Sequence, residues 1–178
     1  MTPLASCGAL TYVAVAAVWD FRTRRIPNWL SGTAFLAALA IASAHGGTGL
    51  KAAALGTGLG LGLFLVPFLL GAVGAGDVKF AGVVGAWLGP SRGLDALVLG
   101  LAVGLFTAIG SAAAQGRGFE ALARAARMAW LFAATLSLKN LPAPPHEEQA
   151  LASIPYALPL ALGAAGAVLL DWRGWILT

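Results

Sequence analysis

Seven acidic side chains occur among the 178 residues, and five of them have ordinary surroundings. Asp95 opens an apolar segment, Glu120 has Arg124 as a helical partner one turn on, Glu147 and Glu148 lie in a proline-rich stretch, and Asp171 closes the last apolar run. Asp20 and Asp77 are different, because each stands where an apolar segment ends at a boundary. An ionisable group at such a boundary is a functional-site hypothesis by default. Two carboxyls brought together in a low-dielectric site cannot both be charged, so they share a proton and titrate as a pair. The ionised member takes a proton from water while the protonated member polarises a carbonyl, a division of labour suited to amide hydrolysis. The bland reading is that each acid is a solvated helix end, with Asp20 neutralised by Arg22, Arg24 and Arg25.

The elements that must position this pair are membrane helices. Hydrophobic residues make up 59% of the chain, charged residues 10%, and the mean hydropathy is +0.84. A water-soluble domain carries about 25% charged residues, because its surface must be wetted. This composition excludes a soluble enzyme, a disordered chain and a disulfide scaffold. The net charge of +4 does not mark a nucleic-acid binder, since the basic residues form no continuous stripe. Cys7 is the one cysteine, which excludes an intrachain disulfide and a cysteine zinc cage. With His45 and His146 on different stretches, no metal ligand set is present, and no cofactor is expected. Leu4-Ala5-Ser6-Cys7 looks like a lipoprotein cleavage site, but no basic residue or apolar stretch precedes it. The first apolar run is therefore expected to stay as a membrane helix.

A crossing needs about 20 apolar residues, fewer where neighbours or bilayer thinning help. Runs over 4–19, 29–44, 50–71, 78–88, 94–114 and 151–170 give about six transmembrane helices in one all-α domain spanning 1–178. Residues 119–138 begin as a basic amphipathic helix expected to lie at the interface, and 140–149 is a proline-rich loop, so 117–149 forms an excursion from the bundle. Six crossings with an outside N-terminus put Arg22, Arg24, Arg25, Lys79, Arg117, Arg124, Arg127 and Lys139 inside, against Lys51, Arg92 and Arg173 outside. This asymmetry sets both termini outside. Trp19 and Trp29 then flank the inner interface, and Trp87, Trp172 and Trp175 the outer one. Glycines at 56, 58, 60 and 62, and at 100 and 104, give the small-xxx-small spacing that lets helix backbones approach in lipid.

Between Asp20 and Asp77 the chain crosses twice, so both acids come to the same, inner side. In Gly74-Ala75-Gly76-Asp77 the carboxylate follows two residues without side chains. The glycines are expected to let the backbone turn tightly and let an extended peptide approach the acid. The helix over 78–88 is only about 16 Å long, so it must start deep and draw Asp77 into the membrane boundary. Pro27 is expected near a helix start, where its missing N–H costs nothing.

These residues resemble a known family. Asp20-Phe21-Arg22-Thr23-Arg24-Arg25-Ile26-Pro27-Asn28 is similar to the first catalytic motif of the type IV prepilin peptidases, and Gly74-Ala75-Gly76-Asp77-Val78-Lys79 to their second, the GxGD motif followed by lysine. Ile154-Pro155-Tyr156 through Gly163 resembles the opening of their last helix, though Tyr156-Ala157-Leu158-Pro159 departs from the Gly-then-Pro of many relatives. GxGD alone is a weak pattern; paired with D-x5-I-P-N on the same side of the membrane it is strong. The resemblance implies an aspartic endopeptidase of the bacterial inner membrane that removes the basic leader of prepilins, Flp-type prepilins or pseudopilins at the cytoplasmic face. It implies Asp20 and Asp77 as the catalytic pair, with Gly74, Gly76, Lys79, Arg25, Pro27 and Asn28 beside them. The partners implied are a prepilin or pseudopilin and the lipid bilayer, with no nucleic acid. The two CxxC pairs that accompany N-methyltransferase activity in larger members have no counterpart here, which implies peptidase activity without methylation.

Two alternatives stand beside it. A presenilin-like protease shares GxGD, but its first acid follows a tyrosine and it carries Pro-Ala-Leu, whereas Trp19 precedes Asp20 here. A small proton-coupled transporter would use Asp20 and Asp77 as relay groups, yet carriers show internal repeats or midplane acids.

Overall fold

Apolar chain in a bilayer has no water to satisfy its N–H and C=O groups, so it must bond to itself, and helix is the local solution. The computed structural model describes residues 3–69, 73–114, 123 and 157–172, and every regular element among them is helical. These are α1 (Pro3–Thr23), α2 (Asn28–Ser43), α3 (Gly46–Leu69), α4 (Ala75–Ala114) and α5 (Ala157–Trp172). The all-α expectation is met. The stretch 117–149 and Ile154-Pro155-Tyr156 lie outside the described residues, Ala123 apart.

The helices run further than the apolar runs that announced them. α1 continues past Trp19, so Asp20 sits inside its last turn rather than after it. α4 starts at Ala75, so Asp77 belongs to its first turn. At Gly89 the backbone adopts φ 74°, ψ −175°, and α4 breaks into limbs over 75–88 and 90–114. Only glycine takes that conformation without strain, and Pro90 starts the second limb with its φ already set for helix. A straight helix would hold residues eight apart about 12 Å from one another. Here a Cβ on Gly93 would lie 3.2 Å from the Gly85 Cα, so the two limbs fold back on each other.

Among the described residues three helices are long and apolar enough to cross a membrane: Pro3–Thr23, Gly46–Leu69 and Ala75–Thr107, the last being the broken one. Asn28–Ser43 and Leu158–Leu170 are apolar but shorter. Length and composition thus support a multi-pass membrane protein, while a count of six requires both limbs of α4 and both short helices to cross. Apolar residues also cover the outside, with Leu36, Leu55, Leu65, Phe106 and Leu162 all exposed. Such a surface suits lipid rather than water.

Half of the glycine ladder works as expected. A Cβ on Gly56 would run into the Gly85 carbonyl, and one on Gly60 into Ala81, so α3 and the first limb of α4 touch backbone to backbone. Gly100 packs in the same way on Leu160, and Gly163 on Gly100 and Ala96, which joins the second limb to α5. Gly58 and Gly62 face open space instead, because residues two apart on a helix point to different sides. Phe64, Phe80, Leu97, Leu160 and Val84 fill the centre of the bundle. Trp87 corrects the aromatic-belt expectation. It is buried, with its ring lying where Gly8 leaves room for it, so the missing Cβ on α1 turned an expected outer anchor into core. Trp19 and Trp29 do stay exposed, packed edge to face at 5.6 Å and 85°.

Candidate active site

The last turn of α1 delivers Asp20, which is only 7% exposed. Beyond it the chain must leave the helix without losing its carbonyls, and three bonds close that end. The Arg24 N–H donates to the Asp20 carbonyl at 2.7 Å, and the Thr23 hydroxyl donates to the carbonyls of Trp19 and Arg25, each at 2.9 Å. Arg24 holds φ 53° in this turn, the left-handed conformation that usually falls to glycine at a helix C-terminus. A side chain there costs about 1–2 kcal/mol. Pro27 (φ −64°, ψ 140°) occupies the cap position of α2 rather than the first helical position. Its carbonyl accepts the N–H groups of Leu30 and Ser31 at 3.2 and 3.3 Å.

Asp77 is set by a reciprocal pair of bonds around Gly74. The Gly74 N–H donates to Asp77 Oδ2 at 2.9 Å, and the Asp77 N–H donates to the Gly74 carbonyl at 3.0 Å. This is the capping-box arrangement, with an acid at the third helical position reaching back to the cap residue. It fixes the carboxyl by one oxygen and leaves Oδ1 outside the cap. Neither motif glycine is needed for the turn, which corrects the expectation of a tight glycine corner. Among the described glycines only Gly46 and Gly89 have positive φ. A Cβ on Gly76 would approach nothing closer than Ile26 Cβ at 3.9 Å, and one on Gly74 would lie 3.5 Å from Asp77 Oδ2. Both are ordinary contacts.

Asp20 and Asp77 line one cavity of about 420 Å³. Its wall also contains Gly74, Gly76, Lys79, Arg25, Pro27 and Asn28, so every residue singled out in the sequence comes to this place. Two further wall residues, Arg24 and Ile26, were not singled out. Ile26 had a signal, as the first letter of Ile-Pro-Asn. Arg24 had none, because an arginine in a left-handed turn is a property of the fold. The two motifs are also tied directly, as Lys79 Nζ donates to Asn28 Oδ1 at 2.8 Å. A second cavity of about 450 Å³, near Trp87 and Gly89, is walled mostly by apolar residues and contains no acid. Size does not separate the two; chemistry does. Among the described residues no group of three or more His, Cys, Asp or Glu side chains gathers to hold a metal ion.

What the arrangement offers is two carboxyl side chains in a partly buried pocket with cationic walls, at the ends of apolar helices. Comparison with curated proteins and with solved structures finds no match. The model of the type IV leader peptidase family matches residues 7–109, a stretch that contains both acid motifs.

Proposed function

The chain belongs to the type IV leader peptidase family and is therefore a protease of the prepilin-leader type, and we propose that Asp20 and Asp77 are its catalytic pair. The observation that carries this reading is the convergence of two separate motifs, each with its acid, on one cavity. The enzyme is then an aspartic endopeptidase. Water bound between the carboxyls loses a proton to the ionised one as its oxygen attacks the scissile carbonyl. The protonated carboxyl polarises that carbonyl, and a proton passes to the departing amine as the C–N bond breaks. No step requires a cofactor.

The substrate is a prepilin, Flp-type prepilin or pseudopilin whose basic leader lies at the cytoplasmic face of the bacterial inner membrane. Its apolar helix shares the bilayer with the exposed leucine faces of the bundle, while charge brings the leader to anionic lipid rather than to the equally basic loops. Both termini lie outside, and six crossings arise when α2, α5 and each limb of α4 cross in the thinned bilayer their lengths demand. The arginines after α1 and Lys79 at the start of α4 support this orientation.

The test is coexpression with a prepilin, reading leader loss as a gel shift. Asp20→Asn and Asp77→Asn should each insert normally and lose at least about 100-fold in rate, the lower end of what positioned acid–base groups contribute. Processing at the normal rate by either variant would overturn the assignment.

A further inference from the structure

Asparagine is a residue type that caps helices, yet Asn28 does not cap α2. The cap position is Pro27, and no side chain bonds there. The Asn28 carboxamide oxygen is engaged elsewhere, accepting the bond from Lys79 Nζ across 51 residues of chain. Lys79 stands on the first turn of α4, two positions beyond Asp77, and Asn28 opens α2 at the end of the turn that leaves Asp20. The bond therefore joins the two segments that carry the acids.

The rest of the bundle is joined by close packing. α4 is locked to α3 by backbone contacts at Gly56–Gly85 and Gly60–Ala81, and to α5 at Gly100–Leu160. α1 meets α4 through side chains: Trp87 over Gly8, and Tyr12 on Phe80 at 5.4 Å between ring centroids. From Tyr12 to Asp20 α1 stays packed, with Val13, Ala16 and Ala17 buried, and the chain leaves the bundle only beyond Asp20, in the exposed turn over 22–25. The bond from Lys79 fastens the far end of that turn to the helix that carries Asp77.

We propose that Asn28 and Lys79 are positioning residues, whose hydrogen bond holds the gap between Asp20 and Asp77; this rests on the reading of the two acids as the catalytic pair. A water-exposed bond of this kind adds little to stability, but a misplacement of 1 Å between reacting groups costs on the order of 100-fold in rate. The effect therefore falls on turnover. A rival role, in which the lysine charge acts directly on the acids or the substrate, would make Lys79 matter and Asn28 not.

The experiment compares the full chain with Asn28→Ala, Lys79→Met, the double variant and Lys79→Arg, in prepilin cleavage and in amide exchange of the segments 24–28 and 74–79. Each single substitution should lower kcat by about 10- to 100-fold and leave KM nearly unchanged. The double variant should be no slower than either single one, because both remove the same bond. Lys79→Arg keeps a donor and should retain most of the turnover. Exchange should quicken in both segments, equally in both single variants. Additive losses, or a normal Asn28→Ala beside an impaired Lys79→Met, would overturn the proposal. Should the unaltered chain cleave no prepilin, the catalytic reading fails by itself. Amide exchange then still decides the tether, and unaltered exchange in the variants refutes it.

Discussion

Replacing Gly76 by alanine separates what the fold needs from what the reaction needs. Gly76 lies in the first turn of α4 at a φ open to any residue, and an added Cβ would come no nearer than 3.9 Å to Ile26. Folding should tolerate the methyl group, and the helix should gain from it, since alanine is preferred to glycine within a helix by about 0.5–1 kcal/mol. The same methyl stands in the wall of the cavity that contains both acids. If an extended peptide lies against Gly76 with its scissile carbonyl between the carboxyls, the methyl displaces it by on the order of 1 Å, which corresponds to about 100-fold in turnover. Gly76→Ala should thus unfold at an equal or higher temperature while cleaving far more slowly. The assay is thermal unfolding in detergent beside a prepilin cleavage time course, with Gly76→Ser as a second small substitution. An alanine variant that cleaves at the normal rate would refute the idea that this glycine admits the substrate backbone. One that loses stability and activity together would return Gly76 to a role in folding.

Three other outcomes are expected. Gly163→Ala should be the opposite case: its Cβ would collide with the backbone of Gly100 on the second limb of α4, so stability should fall by about 1–3 kcal/mol, measured as a lower unfolding temperature. Cleavage should follow a bell-shaped pH profile, since at low pH both carboxyls are protonated and no base remains, while at high pH both are ionised and no acid remains. A rate that rises to a plateau with pH would mean that only one of them titrates in the working range. Asp95→Asn, by contrast, should leave cleavage unchanged, because Asp95 is absent from the cavity wall, and a loss comparable to that of Asp77→Asn would mean that the site extends further.

The acid pair and its neighbours were legible in the sequence because charge is scarce in this chain. With seven acids, five of them ordinarily placed, two apolar segments ending in Asp20 and Asp77 stood out, and the count of crossings between them set both on one side. Helix positions were legible for the same reason, as apolar runs bounded by Gly, Pro and charge. Boundaries were not: α1 includes Asp20 and α4 includes Asp77, since a helix at a membrane surface continues into water as long as its terminal groups find partners. The motif glycines were misread as turn formers, because a glycine beside an acid suggests a tight turn whether or not the backbone takes one. The Lys79–Asn28 bond depends on a contact between distant segments, and no local pattern encodes it. Trp87 went wrong for a related reason, since its burial depends on a glycine on another helix.

The broken helix α4 links these local devices to the membrane. The limb over 75–88 is about 21 Å long at 1.5 Å per residue, whereas the hydrocarbon core is about 30 Å thick. With Gly89 at the outer boundary, Asp77, twelve residues before it, would lie roughly 12 Å short of the inner one, unless the bilayer thins to meet it at a cost of fractions of a kcal/mol per Å. Either way the second acid stands below the level at which a full-length helix would have presented it. A protease acting on apolar helices needs that depth, because its substrate lies in the bilayer too, and it also needs water at the same point. The cavity supplies both conditions through its asymmetry. Its acids are set into the bundle, Asp20 almost wholly buried, while Arg25 and Lys79 in its wall are exposed. A longer first limb would lift Asp77 into water and lose the pairing with the buried Asp20. Shortening the helix is thus as much a part of the site as the carboxyls, and Gly89, at the far end of the limb, is the residue that makes it short.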